Sequence, residues 1–177
     1  RPRSTAGPKK QDGHSARCLA SWRCLSADMA QIKSFDHSSF TVADIDRAVS
    51  FWTDVMGFVL DDPSPRTQPW LGEVVGALGA TCRVTHLSVH GCHPELIGYD
   101  APHQGESVFG PTVRPDASHL AFFVDDIEGF CDAMVAGGGT MLGSITRCGA
   151  DGHSGGARAV YMKDSEGIIV QLVEDAS

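Results

Sequence analysis

Residues 36–60 read DHSSFTVADIDRAVSFWTDVMGFVL, and residues 118–142 read SHLAFFVDDIEGFCDAMVAGGGTML. The two stretches match without a gap at a constant offset of 118 − 36 = 82. His37 falls on His119, Phe40 on Phe122, Val42 on Val124 and Asp44 on Asp126. Ile45 falls on Ile127, Gly57 on Gly139 and Leu60 on Leu142. A self-match of this length indicates a duplicated unit. Each copy opens on a strand. Ser38, Phe40 and Val42 alternate with His37, Ser39 and Thr41; Leu120, Phe122 and Val124 alternate with His119, Ala121 and Phe123. Period two puts each histidine on the face opposite the main apolar row.

A helix follows each strand. Asp44 and Asp126 stand where an N-cap is expected. Ile45, Ala48, Val49, Trp52 and Met56 fall at helical spacing, and Ile127, Phe130, Cys131 and Met134 repeat the stripe. Gly57 and the run Gly137 to Gly139 suit helix ends. Three more strands fit each copy, near 58–61, 83–90 and 95–99 in the first and near 140–146, 158–163 and 168–173 in the second. The fold class is therefore α+β, with two βαβββ modules. The helix covers one face of each sheet, and the other face is left to line a cavity. Module one spans 33–99, a Pro- and Gly-rich linker spans 100–117, and module two spans 118–175. Together they make a single domain over 29–177.

The chain has 177 residues, which suits one such domain. Its net charge of −8 argues against a nucleic-acid partner, which would want a basic face. No run approaches the roughly 18 apolar residues of a membrane span. None of the six cysteines (Cys18, Cys24, Cys82, Cys92, Cys131 and Cys148) forms a C-x-x-C pair. They read as free thiols of a reducing compartment, and a cytoplasmic location is expected. Residues 1–28 carry six of the 14 basic residues and only two of the 22 acidic ones. Their poverty in aliphatic residues predicts a disordered extension. Met29 begins a stretch that reads as an ordinary protein start. The alternative for the upstream segment is an organelle transit peptide, since it is Arg- and Ser-rich.

Four polar positions stand out. His37 and His119 are equivalent by the duplication. Glu95 in HPELIGY and Gln171 in GIIVQLVE open and continue the last strand of each module. Edge-to-edge pairing of the two sheets would bring the four together. Two imidazoles, a carboxylate and an amide oxygen form a donor set for a divalent metal with room left for substrate. Taken singly, a strand histidine is more often a core residue and a terminal glutamine a surface one; the duplication is what favours the metal reading. His86, Tyr99, Phe123 and Trp70 are candidates for the substrate pocket, with packing as their default role. The segment QPWLGEVVGALGA is placed over the cavity mouth, and the Gly-rich stretch 143–156 reads as a mobile lid.

The stretches DHSSFTVADIDRAVSFWTDVMGF, PELIGY, SHLAFFVDDI and ARAVYMKDSEGIIVQLVE together resemble the vicinal oxygen chelate superfamily. That superfamily unites glyoxalases, bleomycin resistance proteins and extradiol dioxygenases. The resemblance implies one divalent ion (Zn, Ni, Mn, Co or Fe) held by His37, Glu95, His119 and Gln171. It implies a lyase/isomerase of the glyoxalase I (lactoylglutathione lyase) type, or an epimerase, working through a metal-stabilised enediolate or enolate of a small oxygenated substrate. Glu95, the only carboxylate of the four, would be the catalytic base. Gln171 departs from the glutamate usual at that position. A non-haem iron extradiol dioxygenase and a non-catalytic binding protein for a small molecule such as an antibiotic are the alternatives. Monomer and homodimer both remain open.

Overall fold

The alternation at the start of each copy does build a strand. The computed structural model describes residue 30 and residues 32–66, 70–102, 111–148 and 155–176, without the side chains of 63–66. The disorder expected for 1–28 falls outside the described residues, as do parts of the linker (103–110) and of the glycine-rich stretch (149–154). Residues Asp36–Ser177 form one unit that holds both sheets.

In the first copy β1 (Ser38–Thr41) leads into α1 (Ile45–Ser50), which continues as a π-helical turn over Phe51–Val55. Then come β2 (Val59–Arg66), α2 (Trp70–Val75), β3 (Thr81–Ser88) and β4 (Pro94–Ala101). They make a sheet of order β1-β4-β3-β2 in which β1 and β4 are parallel. The second copy repeats the plan with β5 (His119–Phe123), α3 (Ile127–Ala136), β6 (Thr140–Met141), β7 (Thr146–Arg147), β8 (Arg158–Lys163) and β9 (Ile169–Glu174). Its order is β5-β9-β8-β6, again with the first and last strands parallel, and β7 also pairs with β8.

The two aspartates cap as expected. Asp44 Oδ1 accepts from the Arg47 N–H at 3.1 Å, and Asp126 Oδ1 from the Gly129 N–H at 3.0 Å. Each satisfies one N–H that the first turn leaves without a partner. Gly98 lets α1 approach β4 closely: a Cβ there would lie 3.0 Å from Ile45 Cβ. Strands expected as single pieces are interrupted. The expected 140–146 strand splits because five steps from Met141 to Thr146 face only three from Met162 to Ala159 on β8. In β2 the register shifts between Leu60 and Asp62, a bulge that sets Asp62 opposite His86.

One hydrophobic core joins both copies. Phe40, Trp52, Leu87 and Leu96 from the first share it with Ile127, Met134, Met162, Val170 and Leu172 from the second. Fully buried Trp52 is its pivot. Its ring meets Phe58 edge-on at 4.9 Å between centroids, and Phe58 in turn meets Phe122 at 5.8 Å. Its indole N–H donates to Asp164 Oδ2 at 2.8 Å, across 112 residues of chain. Buried Asp164 Oδ1 accepts from the Glu166 and Ile168 N–H groups, both at 2.8 Å. Burial pushes this carboxyl above the ordinary carboxylate range, and the three hydrogen bonds oppose the shift. Nearby, Glu166 Oε2 accepts from the Ala43 and Asp44 N–H groups at 2.9 and 3.0 Å. Glu166 also pairs with Arg47. The turn between β8 and β9 thus closes the start of α1.

Candidate active site

The face of the first sheet opposite α1 carries a row of polar side chains. Ser39 on β1 is the register partner of Glu95 on β4. Glu95 is the partner of His86 on β3, and His86 of Asp62 on β2. The row therefore crosses all four strands, with Glu95 at its centre and only 14% exposed. Glu95 Oε1 accepts from the Ser39 hydroxyl at 2.9 Å and lies 3.5 Å from His37 Nε2. Its other oxygen, Oε2, lies 3.4 Å from His86 Nε2. The rings of His37 and His86 stand edge to face, 6.0 Å apart.

His37 precedes β1 by one residue instead of lying within it. Its Nδ1 is 2.7 Å from the Asp36 carboxylate, which fixes the ring and leaves Nε2 facing Glu95. A carboxylate on the far nitrogen is the arrangement that orients an imidazole for a metal. In donor chemistry, then, the His37–Glu95 pair fits a divalent ion.

The second half of the expected set sits on the other sheet. His119 opens β5, and Gln171 lies in mid β9 as the register partner of Ala121 and of Tyr161 on β8. Period two puts His119, Ala121 and Gln171 on one face, with the Tyr161 ring against His119 at 5.0 Å. His119, Ala121 and Phe123 are all exposed, so this face is open. No described hydrogen bond, ion pair or ring contact links His37 or Glu95 to His119 or Gln171. Among the described residues no three His, Cys, Asp or Glu side chains are grouped to hold a metal ion.

The softer candidates separate. His86 stands against Glu95. Tyr99 shares the Glu95 face, two strand periods along. It packs in a small apolar cluster with Leu71, Ala77, Ala80, Cys82, Val84 and Ile97. Burial, with some help from Cys82 and Glu95, pushes its phenol up. Within the segment expected over the cavity mouth, Trp70–Val75 form α2, and Leu71 packs in the cluster with Tyr99; Trp70 at its start is half exposed. Phe123 is 75% exposed and packs into no core. Sequence reasoning missed Asp36, Ser39 and Tyr161. For Ser39 the signal was its place two residues after His37, on the same strand face.

A sequence model of the Glyoxalase/Bleomycin resistance protein/Dioxygenase superfamily matches residues 34–172. The chain belongs to that superfamily. It is 27% identical over 146 residues to the lactoylglutathione lyase of Haemophilus influenzae, covering 80% of this chain and 92% of the relative. Its fold is similar to that of a glyoxalase family protein from Bacillus cereus (TM-score 0.74, 20% identity, 85% of this chain and 99% of the other). It is also similar to the fosfomycin resistance protein FosX of Listeria monocytogenes, solved with Mn(II) and sulfate (TM-score 0.52, 14% identity, 82% and 95% covered).

Proposed function

We propose that the chain is a divalent-metal-dependent lyase/isomerase of the glyoxalase type, moving a proton between adjacent oxygen-bearing carbons of a small substrate such as a lactoyl thioester of glutathione. The observation that supports this best is the Glu95 carboxylate, mostly withdrawn from water between two imidazoles and a hydroxyl. His37, Glu95, His119 and Gln171 would hold the ion. When bound, it would supply Lewis-acid stabilisation to the charge that grows on two vicinal substrate oxygens. Glu95 takes the proton from the hydroxyl-bearing carbon of the thioester and returns it to the neighbouring carbon. The hydroxyl proton passes to the former carbonyl oxygen, giving a 2-oxo hemithioacetal. Breaking its C–S bond releases the aldehyde and the thiol, and the reverse course starts from those two. α2 closes one end of the face and limits water there.

The separation of the donors into two groups supports a homodimer, in which the second sheet of one copy completes the first sheet of the other. Mixing two variants tests both the donors and the dimer. His37→Ala and His119→Ala are each expected to bind little metal and to form no lactoylglutathione from methylglyoxal and glutathione. Unfolded and refolded together, they regain activity, because one of the two shared sites is then intact. Activity in either variant alone would remove that histidine from the site. No regain on mixing would place each site within one chain. Oxygen consumption with catechols in place of lyase turnover would favour the dioxygenase alternative.

A further inference from the structure

Of the groups in the polar row across the first sheet that the proposed reaction does not use, His86 is the one that meets Glu95 Oε2. His86 is not among the four donor positions, yet it is the register partner of Glu95 and meets the carboxylate oxygen that Ser39 and His37 do not. The last torsion of a glutamate is broad, and a partner on each carboxylate oxygen narrows it further than a partner on one. Here Oε1 is restrained by the Ser39 hydroxyl, and Oε2 has His86 as its nearest partner. The bulge in β2 and the central place of β3 fix His86 between Glu95 and Asp62, so its position is set by the sheet and not by a loop.

We propose that His86 is a positioning residue for Glu95. Its Nε2–H restrains Oε2, so that Oε1 is the oxygen presented beside His37. The 3.4 Å separation is a contact that closes into a hydrogen bond with a small ring movement. The inference rests on the reading of Glu95 as metal donor and base. Its consequence is that the carboxylate presents one fixed oxygen, and that the removal of His86 lets it rotate without removing any donor. Partners that orient a metal-bound group in this way are commonly worth about 10- to 100-fold in affinity or activity.

Two amide variants separate positioning from bulk structure. Gln ends near where Nε2 lies and can donate to Oε2, whereas Asn is one methylene shorter and falls short. The wild type, His86→Gln, His86→Asn and a His37→Ala reference are titrated with Co²⁺, followed by visible absorption. Their melting temperatures are taken on the same samples, and kcat and KM are measured with methylglyoxal and glutathione. His86→Asn is expected to weaken Co²⁺ binding and lower kcat, each about tenfold, with KM within about twofold; His86→Gln returns both to within about threefold of wild type. Wild-type Co²⁺ affinity in His86→Asn overturns the proposal. So does a loss of Co²⁺ as complete as in His37→Ala, which would make His86 a direct ligand. Gln and Asn behaving alike at equal melting temperature also overturns it. If the wild type turns nothing over, the reading of the reaction fails, and the Co²⁺ affinities still decide the role of His86.

Discussion

Trp52→Phe isolates the hydrogen bond that ties the two copies together. Among the described residues, the indole N–H is the only partner of Asp164 Oδ2, while the backbone N–H groups of Glu166 and Ile168 serve Oδ1. Phe keeps an aromatic ring against Phe58 and Phe40 but offers no donor. Leaving a buried carboxylate oxygen unpaired costs about 2 kcal/mol. The smaller ring leaves a partial cavity at a fully buried site, worth about 1–2 kcal/mol more. The total of about 3–4 kcal/mol corresponds to a melting temperature lower by about 10 °C in a domain of this size.

The same bond has a pH signature. Burial raises the Asp164 carboxyl above its unfolded value, so its contribution to stability is fully present below the ordinary carboxylate range and is lost as pH rises through the folded value. The indole N–H opposes that loss by favouring the charged form. The penalty for Trp52→Phe is therefore larger at pH 7 than in acid, where the group it supports is neutral. Thermal unfolding followed by circular dichroism, at pH 7 and in steps toward pH 4, measures both quantities. A penalty under about 1 kcal/mol, or one that does not change with pH, would refute the reasoning.

Two further perturbations probe how α1 is held. Gly98→Ala sets a methyl 3.0 Å from Ile45 Cβ, and urea denaturation is expected to show a loss of about 1–3 kcal/mol, with the midpoint shifted and the slope unchanged. Glu166→Ala removes the acceptor for the Ala43 and Asp44 N–H groups and the partner of Arg47, so a loss of about 1–2 kcal/mol is expected by the same measurement, the scale of a lost helix cap.

The duplication was legible because the copies still share strand alternation, a capping aspartate and the apolar stripe of the helix. Asp44 and Asp126 cap as read, and both sheets have the same strand order. α2 was legible only as a covering segment. Gly72 lowers its helix propensity, Gly76 with φ +69° ends it after six residues, and Trp70, Val74 and Val75 are exposed, so no clear stripe marks it. Glu95 and His37 were singled out from their residue types and the repeat, and the fold sets them 3.5 Å apart. The Ser39–Glu95–His86–Asp62 row was not singled out, because lateral neighbours depend on strand register and on the bulge after Leu60, which no local spacing reveals.

The central role proposed for Glu95 is to move a proton on carbon. The most direct measurement is exchange of solvent deuterium into S-lactoylglutathione, followed by proton NMR with wild type and Glu95→Gln side by side. Gln keeps the size and an oxygen donor while removing charge and basicity. Wild type is expected to exchange the proton on the hydroxyl-bearing carbon, and Glu95→Gln to do so roughly 100-fold more slowly or worse, the usual scale for a general base. Exchange that proceeds unchanged in a folded, metal-loaded Glu95→Gln would contradict the account.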